Sequence, residues 1–312
     1  MKLNLFDLHC DTALSILEQN KGIDKNDLHI SLENASVFEK YIQVMAIWCP
    51  KEYDNDKGFR NFHITLDHLL KSIDNSLFDV THVRSSNQIS KTENIKNRFI
   101  ISVEDARILN GEPDRLKVLH ARGVRFLTLL WSGVTCIGGA YDTEVGLTDF
   151  GKDTVKQCFK LGIIPDVSHA SVKSFYDIAE IADLTGGKPI VATHSDSSTV
   201  FSHKRNLDDK QFTYIAQNGG LVGINLCREH LGTSTNGVGL AVKNIEKYMS
   251  LGGEKCICLG CDLDGCDTPA DIENISSLQK IAEKLASLNY TQQSIDDIFY
   301  NNAYNFAINN LK

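Results

Sequence analysis

Short apolar runs rich in β-branched and aromatic residues recur along the chain, at 4–10, 41–49, 99–104, 124–131, 163–169, 189–194, 220–226 and 256–262. They are strand-length, and too continuously apolar for strands with one wet face. Between them lie stretches with apolar residues at helical spacing, at 60–73, 154–161, 171–184, 207–217 and 242–251. Strands and helices alternating in this way predict a parallel sheet covered by helices. Eight such units predict a closed (β/α)8 barrel of the TIM type. A doubly wound open sheet is the competing arrangement, but no Gly-x-Gly-x-x-Gly follows the first strand. Residues 50–98 are long for one connection and predict a segment inserted after strand 2, with an extra strand pair around 78–83. Toward the C-terminal end, 276–288 and 294–311 read as two closing helices, with Thr291 placed to cap the second.

Length and composition narrow this picture. The chain has 312 residues, which suits one barrel domain over 1–312, since such barrels run to this size without dividing. Hydrophobic residues at 42% and charged residues at 23% exclude disorder and coiled coil. A net charge of −8 argues against nucleic acid or an anionic membrane as a partner. No signal-like stretch opens the chain, and no apolar run approaches the roughly 18 residues a membrane helix needs. Nine cysteines scattered through a chain of this size predict reduced thiols and a cytoplasmic location.

In a (β/α)8 barrel the chemistry stands at the C-terminal ends of the strands. Here strand 1 ends Asp7-Leu-His9-Cys-Asp11 and strand 3 ends at Glu104. Strand 5 ends Asp166-Val-Ser-His169, strand 6 ends at His194, and strand 8 ends Asp262-Leu-Asp264. A lone histidine at a strand end is ordinarily a hydrogen-bonded loop residue, and a lone glutamate a helix N-terminal charge. Three histidines and several acids at one structural level are not explained that way. Alternation along strand 1 predicts His9 and Asp11 on one face. Neutral imidazoles with carboxylates suit zinc or another borderline divalent ion. His29, His63, His68, His82 and His120 fall in helical or connecting segments and read as structural. His203 and His230 follow strands 6 and 7, where a place on the rim is open.

Two other patterns read as structural. Cys256, Cys258, Cys261 and Cys266 lack the paired Cys-x-x-Cys spacing of zinc ribbons, and the first two fall inside a buried strand. Gly186-Gly-Lys188 precedes a strand instead of opening a helix, so it reads as a turn and not a phosphate loop.

The chain resembles the membrane (renal) dipeptidases, binuclear zinc peptidases on a (β/α)8 barrel. Collinear segments carry the resemblance: Asp7–Asp11, Val103-Glu104, 123–128, 146–151, Asp166–His169, His194-Ser195, Lys204-Arg205-Asn206 and 260–265. It implies that His9 and Asp11 bind one metal, that His169 and His194 bind a second, and that Glu104 bridges them. It implies further that Arg205 contacts substrate, that Asp262 is the acid–base carboxylate, and that the chain forms a homodimer. The nucleophile such a site provides is a water shared by two divalent ions, deprotonated near a pH of roughly 7. Trp131 departs from the family, which places a substrate-binding histidine there; an indole donates one N–H but carries no charge. Asn305 likewise stands where the family has an arginine. The implied activity is hydrolysis of free dipeptides, with a D-residue at the C-terminal position among the candidates. Another amidohydrolase-type barrel enzyme, a lactonase, cyclic-amide hydrolase or deaminase, is the alternative, although those barrels open His-x-His where this chain has His9-Cys-Asp11. A catalytically weak binding protein is a third reading, motivated by Trp131.

Overall fold

The computed structural model describes residues 2–50 and 55–312. Its strands are β1 (Leu5–Cys10), β2 (Tyr41–Trp48), β3 (Val80–His82), β4 (Asn97–Glu104), β5 (Val124–Thr128), β6 (Ile164–Asp166), β7 (Val222–Ile224) and β8 (Ile257–Leu259). Seven of them run parallel in the order β6-β5-β4-β2-β1-β8-β7, with β3 off that path on β4. The predicted strand at 189–194 fills the gap between β6 and β7. Val191 N donates to Pro165 O at 3.1 Å and Ala192 N to Leu221 O at 2.9 Å, with parallel bridges to Asp166 and Val222. The ring therefore closes with eight parallel staves.

Among its described residues the inserted segment carries one strand where the sequence pattern predicts a pair. β5 first pairs with β4 at Ile101, which leaves the lower edge of β4 open for Val80–His82 against Asn97–Phe99. Several staves are also shorter than their apolar runs. Their last N–H groups bond to buried carboxylates in place of the sheet ladder: Ser168 N and Thr193 N to Asp166 Oδ1 at 2.9 and 3.0 Å, Cys261 N to Asp7, and Asn225 N to Asp196 Oδ1.

Each stave contributes to the barrel interior, through Phe6, Leu8, Ile42, Val44, Ile100, Phe126, Ile164, Val191, Leu221 and Cys258. A second, larger apolar layer lies between barrel and helices and takes the alternate positions, such as Leu5, Tyr41, Phe99 and Ile257. The helices are started by side chains at their N-termini: Thr148, Ser171 and Asp208 each accept from a first-turn N–H, Asp208 in a capping box with Gln211. Thr291 caps the last helical run as expected, accepting from Ser294 N at 3.1 Å. That run is interrupted by a π-helical turn over Asp297–Asn301, and Tyr300, Phe306 and Leu311 close the lower end of the barrel. The buried Arg98 donates there to Tyr300 Oη at 2.9 Å and Ile89 O at 3.2 Å. No helix among the described residues is long and apolar enough to cross a membrane.

Closure of the ring depends on Gly223 and Gly260. A Cβ on either would fall on the Thr193 carbonyl oxygen. Gly260→Ala is expected to lower stability by about 1–3 kcal/mol through overpacking. The urea unfolding midpoint reads this, and an unchanged midpoint would show that the ring tolerates a side chain there.

Candidate metal centre

The described ends of β1, β4 and β6, with the 189–194 stave and the turn after β8, place His9, Asp11, Glu104, His169, His194 and Asp262 together at one mouth of the barrel, all largely withdrawn from solvent. The path to this geometry differs from simple alternation in strand 1. The pairing of β1 with β2 gains one residue between Asp7 and Cys10, a β-bulge. The bulge turns His9 into the mouth, and Asp11 follows at the start of helix Thr12–Glu18. His169 and Asp262 adopt positive φ values of 68° and 58°, backbone that L-residues rarely take and that clusters at functional sites.

Glu104 sits at the centre. Its Oε1 lies 3.1 Å from His169 Nε2 and 3.4 Å from His194 Nε2, and its Oε2 lies 3.7 Å from His9 Nε2. His169 Nε2 and His194 Nε2 are 3.0 Å apart, and His9 Nε2 is 3.6 Å from Asp11 Oδ2. Ligand atoms about 2.1 Å from a tetrahedral ion stand about 3.4 Å from one another. Both groups, Glu104–His169–His194 and His9–Asp11–Glu104, have that spacing. His9 Nε2 and Asp11 Oδ1 are buried with no hydrogen-bond partner. Buried polar atoms left in this way are ordinarily satisfied by a water or an ion. The donor set fits a divalent cation on each side of Glu104.

Burial dominates the electrostatics. It pushes the Glu104 carboxyl up to about 8, with Asp11 adding to the push and His9 opposing it. Burial also drives His169 and His194 well below the ordinary imidazole range, reinforced by Arg205 and neighbouring imidazoles, which favours the neutral form a metal would need. Asp262 is pushed up to about 6 by burial, against the pull of His9. Its Oδ1 is 3.9 Å from His9 Nε2, and Asn225 Nδ2 donates to its Oδ2 at 3.3 Å.

Other strand-end acids are structural. Asp166 accepts from Ser168 N, Thr193 N, Thr193 Oγ1 and Thr128 Oγ1, so it staples three staves. Asp7 holds His9 N, Gln43 Nε2 and Cys261 N. Asp264 accepts from Thr12 Oγ1 and His29 N, while His29 Nδ1 accepts from Asp264 N, which gives His29 the structural place its segment predicts.

A cavity of about 300 Å³ opens above these groups, lined among others by Trp48, Trp131, Tyr141, Glu229 and His230. The Trp131 ring packs on Trp48 at 5.0 Å between centroids and lies 6.4 Å from His169. Arg205 is buried beneath the mouth and does not line this cavity; its guanidinium donates to Ser195 Oγ and His194 O, both at 2.8 Å. Trp48, Tyr141 and Asn225 complete the site without having been singled out for it by residue type, and His230 takes the place on the rim left open to it. Trp48 and Asn225 do stand at strand ends, and that position was the available signal.

Comparison with known proteins agrees with this fold. A profile of the membrane dipeptidase family, peptidase family M19, matches residues 1–306. An uncharacterised protein in the pqqA 5' region of Klebsiella pneumoniae is 31% identical over 217 residues, 65% of this chain and 79% of that protein. A metallopeptidase from Rhodobacter sphaeroides, solved with a phosphinate mimic of the dipeptide L-Ala-D-Ala, superposes with a TM-score of 0.90 at 22% identity over 100% of both chains. A dipeptidase AC of the same peptidase family gives 0.91 at 22% identity, over 100% of this chain and 99% of that one. The chain belongs to the membrane dipeptidase family, peptidase family M19.

Proposed function

We propose that the chain hydrolyses free dipeptides with two divalent ions held side by side across Glu104. The observation that carries this reading is the division of one buried carboxylate, Oε1 toward His169 and His194 and Oε2 toward His9. His9 and Asp11 hold the first ion, and His169 and His194 the second. Imidazole nitrogens with carboxylate oxygens favour zinc. When bound, such a pair would activate water as a nucleophile at neutral pH and polarise the amide carbonyl.

The chain's own groups do the rest. Asp262 sits beside His9 with its affinity for a proton raised by burial, which suits a carboxylate that accepts a proton and hands it to the departing amine. Asn225 holds its second oxygen and fixes its direction. Arg205, whose NH groups already hold His194 and Ser195, contributes its positive charge toward the substrate carboxylate. The cavity has the volume of a small ligand, and Trp131 with Trp48 forms an apolar wall for a side chain. A D-residue at the C-terminal position is part of the proposal, supported by the L-Ala-D-Ala mimic in the Rhodobacter sphaeroides metallopeptidase. No disulfide joins cysteines among the described residues, in keeping with work in a reducing compartment.

A zinc-reconstituted assay over L,L- and L,D-dipeptides is expected to show turnover of at least one member; two bound ions with no turnover of any would sink the dipeptidase reading. Asp262→Asn is expected to lower kcat about 100-fold or more with metal content unchanged. Near-normal turnover in that variant would remove Asp262 from proton transfer. Stripping the ions with a chelator is expected to lower the thermal midpoint. Zinc at about 1,000 times its Kd contributes about 4 kcal/mol through binding to the folded state. A midpoint indifferent to chelation and to zinc would contradict the metal assignment.

A further inference from the structure

Cys227 and Cys266 form a pair that no step of the proposed hydrolysis uses. Cys227 stands at the N-terminal edge of the short helix Arg228–Leu231 after β7, and Cys266 lies in the turn after β8 that carries Asp262. Arg228 N donates to Asp267 O at 2.9 Å. The two cysteines are thus the residues immediately before the two ends of one backbone hydrogen bond between adjacent segments. Their Sγ atoms and an oxygen of Asp262 all lie within 4.8 Å of one another, and both residues line the catalytic cavity. Cys266 is half-buried, whereas Cys10, Cys49, Cys158, Cys256, Cys258 and Cys261 are buried.

We infer that Cys227 and Cys266 are a reversible oxidation site, which a low-molecular-weight disulfide converts into a Cys227–Cys266 disulfide in the cavity wall. The sulfur of Cys266, the more open of the two, attacks one sulfur of the reagent. Its S–S bond breaks, a mixed disulfide forms on Cys266, and one thiol leaves. The Cys227 sulfur then attacks the Cys266 sulfur, forming the protein disulfide and releasing the second thiol. The two protons of the cysteine S–H groups leave with the two product thiols. The protein is oxidised by two electrons and the reagent is reduced by two.

Closure acts on Asp262 from two sides. Cys266 Sγ donates to the Asp262 carbonyl oxygen at 3.4 Å, a bond the disulfide abolishes. Cys227 N donates to Asn225 Oδ1 at 2.6 Å, and Asn225 in turn holds the Asp262 carboxylate. Drawing the two sulfurs together shifts both supports of a residue already held at positive φ. The loss of turnover rests on the dipeptidase reading; the disulfide itself does not.

The test treats the reduced, zinc-loaded full chain with excess glutathione disulfide, blocks remaining thiols with N-ethylmaleimide, and maps peptides by mass. The expected result is a peptide pair joined through Cys227 and Cys266, two hydrogens lighter than the reduced pair. Turnover is expected to fall about tenfold with the misplacement of Asp262, and to return with dithiothreitol. Cys227→Ser and Cys266→Ser, each compared with its own untreated sample, are expected to form no such link and to keep their turnover. Separate alkylation of both cysteines, glutathione resting on Cys266 without closure, or a link formed elsewhere would overturn the assignment. A link that forms in wild type without changing turnover of an active enzyme would overturn the coupling to Asp262.

Discussion

The structure turns on one buried carboxylate. Glu104 lies at the end of β4 with three imidazoles around its two oxygens and with Asp11 and Asp262 close by. Burial alone disfavours an ionised carboxylate, and two more carboxylates beside it disfavour it further. Held with two neutral imidazoles on one oxygen and a third imidazole on the other, the same group is placed to be the shared ligand of the proposed function. The lone pairs of His169 and His194 converge at 3.0 Å, a contact that two neutral imidazoles make comfortably only across a proton or a cation. Divalent cations reverse the electrostatic cost of the whole cluster. The acids that make the mouth costly to bury are the acids that would hold the ions under the proposed function.

That cluster needs rigid walls, and a second set of buried carboxylates provides them. Asp7, Asp166, Asp196 and Asp264 each accept backbone N–H groups from the stave ends or the turns beyond them. These bonds shorten the regular strands, and they fix where the ligand side chains leave the barrel. His169 and Asp262 are held at positive φ within this frame, conformations that cost energy and persist because the surroundings determine them. The close backbone approach at Gly223 and Gly260 sets the 189–194 stave, and with it His194, at the right height.

The barrel and the cluster of histidines and acids at its mouth were legible in the sequence because both obey rules of position. Continuous apolar runs marked the staves, and histidines or acids directly after such runs marked the mouth. The same rule could not separate Asp262 from Asp264, two residues apart, because which one stands beside His9 depends on the turn after β8. It passed over Trp48, which ends an apolar run and reads as core until the cavity is seen beside it. Asn225 was missed for lack of charge. Arg205 entered only through family resemblance, since a buried guanidinium beneath the mouth leaves no trace in local periodicity. The bulge in β1 was also invisible: alternation placed His9 and Asp11 on one face, whereas an extra residue in the pairing brings them together.

Cys266 shows how a pattern can be read correctly in part. Cys256, Cys258 and Cys261 are buried thiols of the barrel wall, as their setting in an apolar run implied. Cys266 lies past the strand end and finds a partner, Cys227, from the neighbouring stave. That pairing comes from barrel topology and has no signature in spacing. The central claim remains the division of Glu104 between two ions. Anomalous diffraction at the zinc absorption edge from zinc-loaded crystals tests it most directly. The account predicts two peaks, one against each Glu104 oxygen, with His9 and Asp11 on one and His169 and His194 on the other. A single peak, or two peaks with Glu104 bound to neither or to one alone, would contradict it.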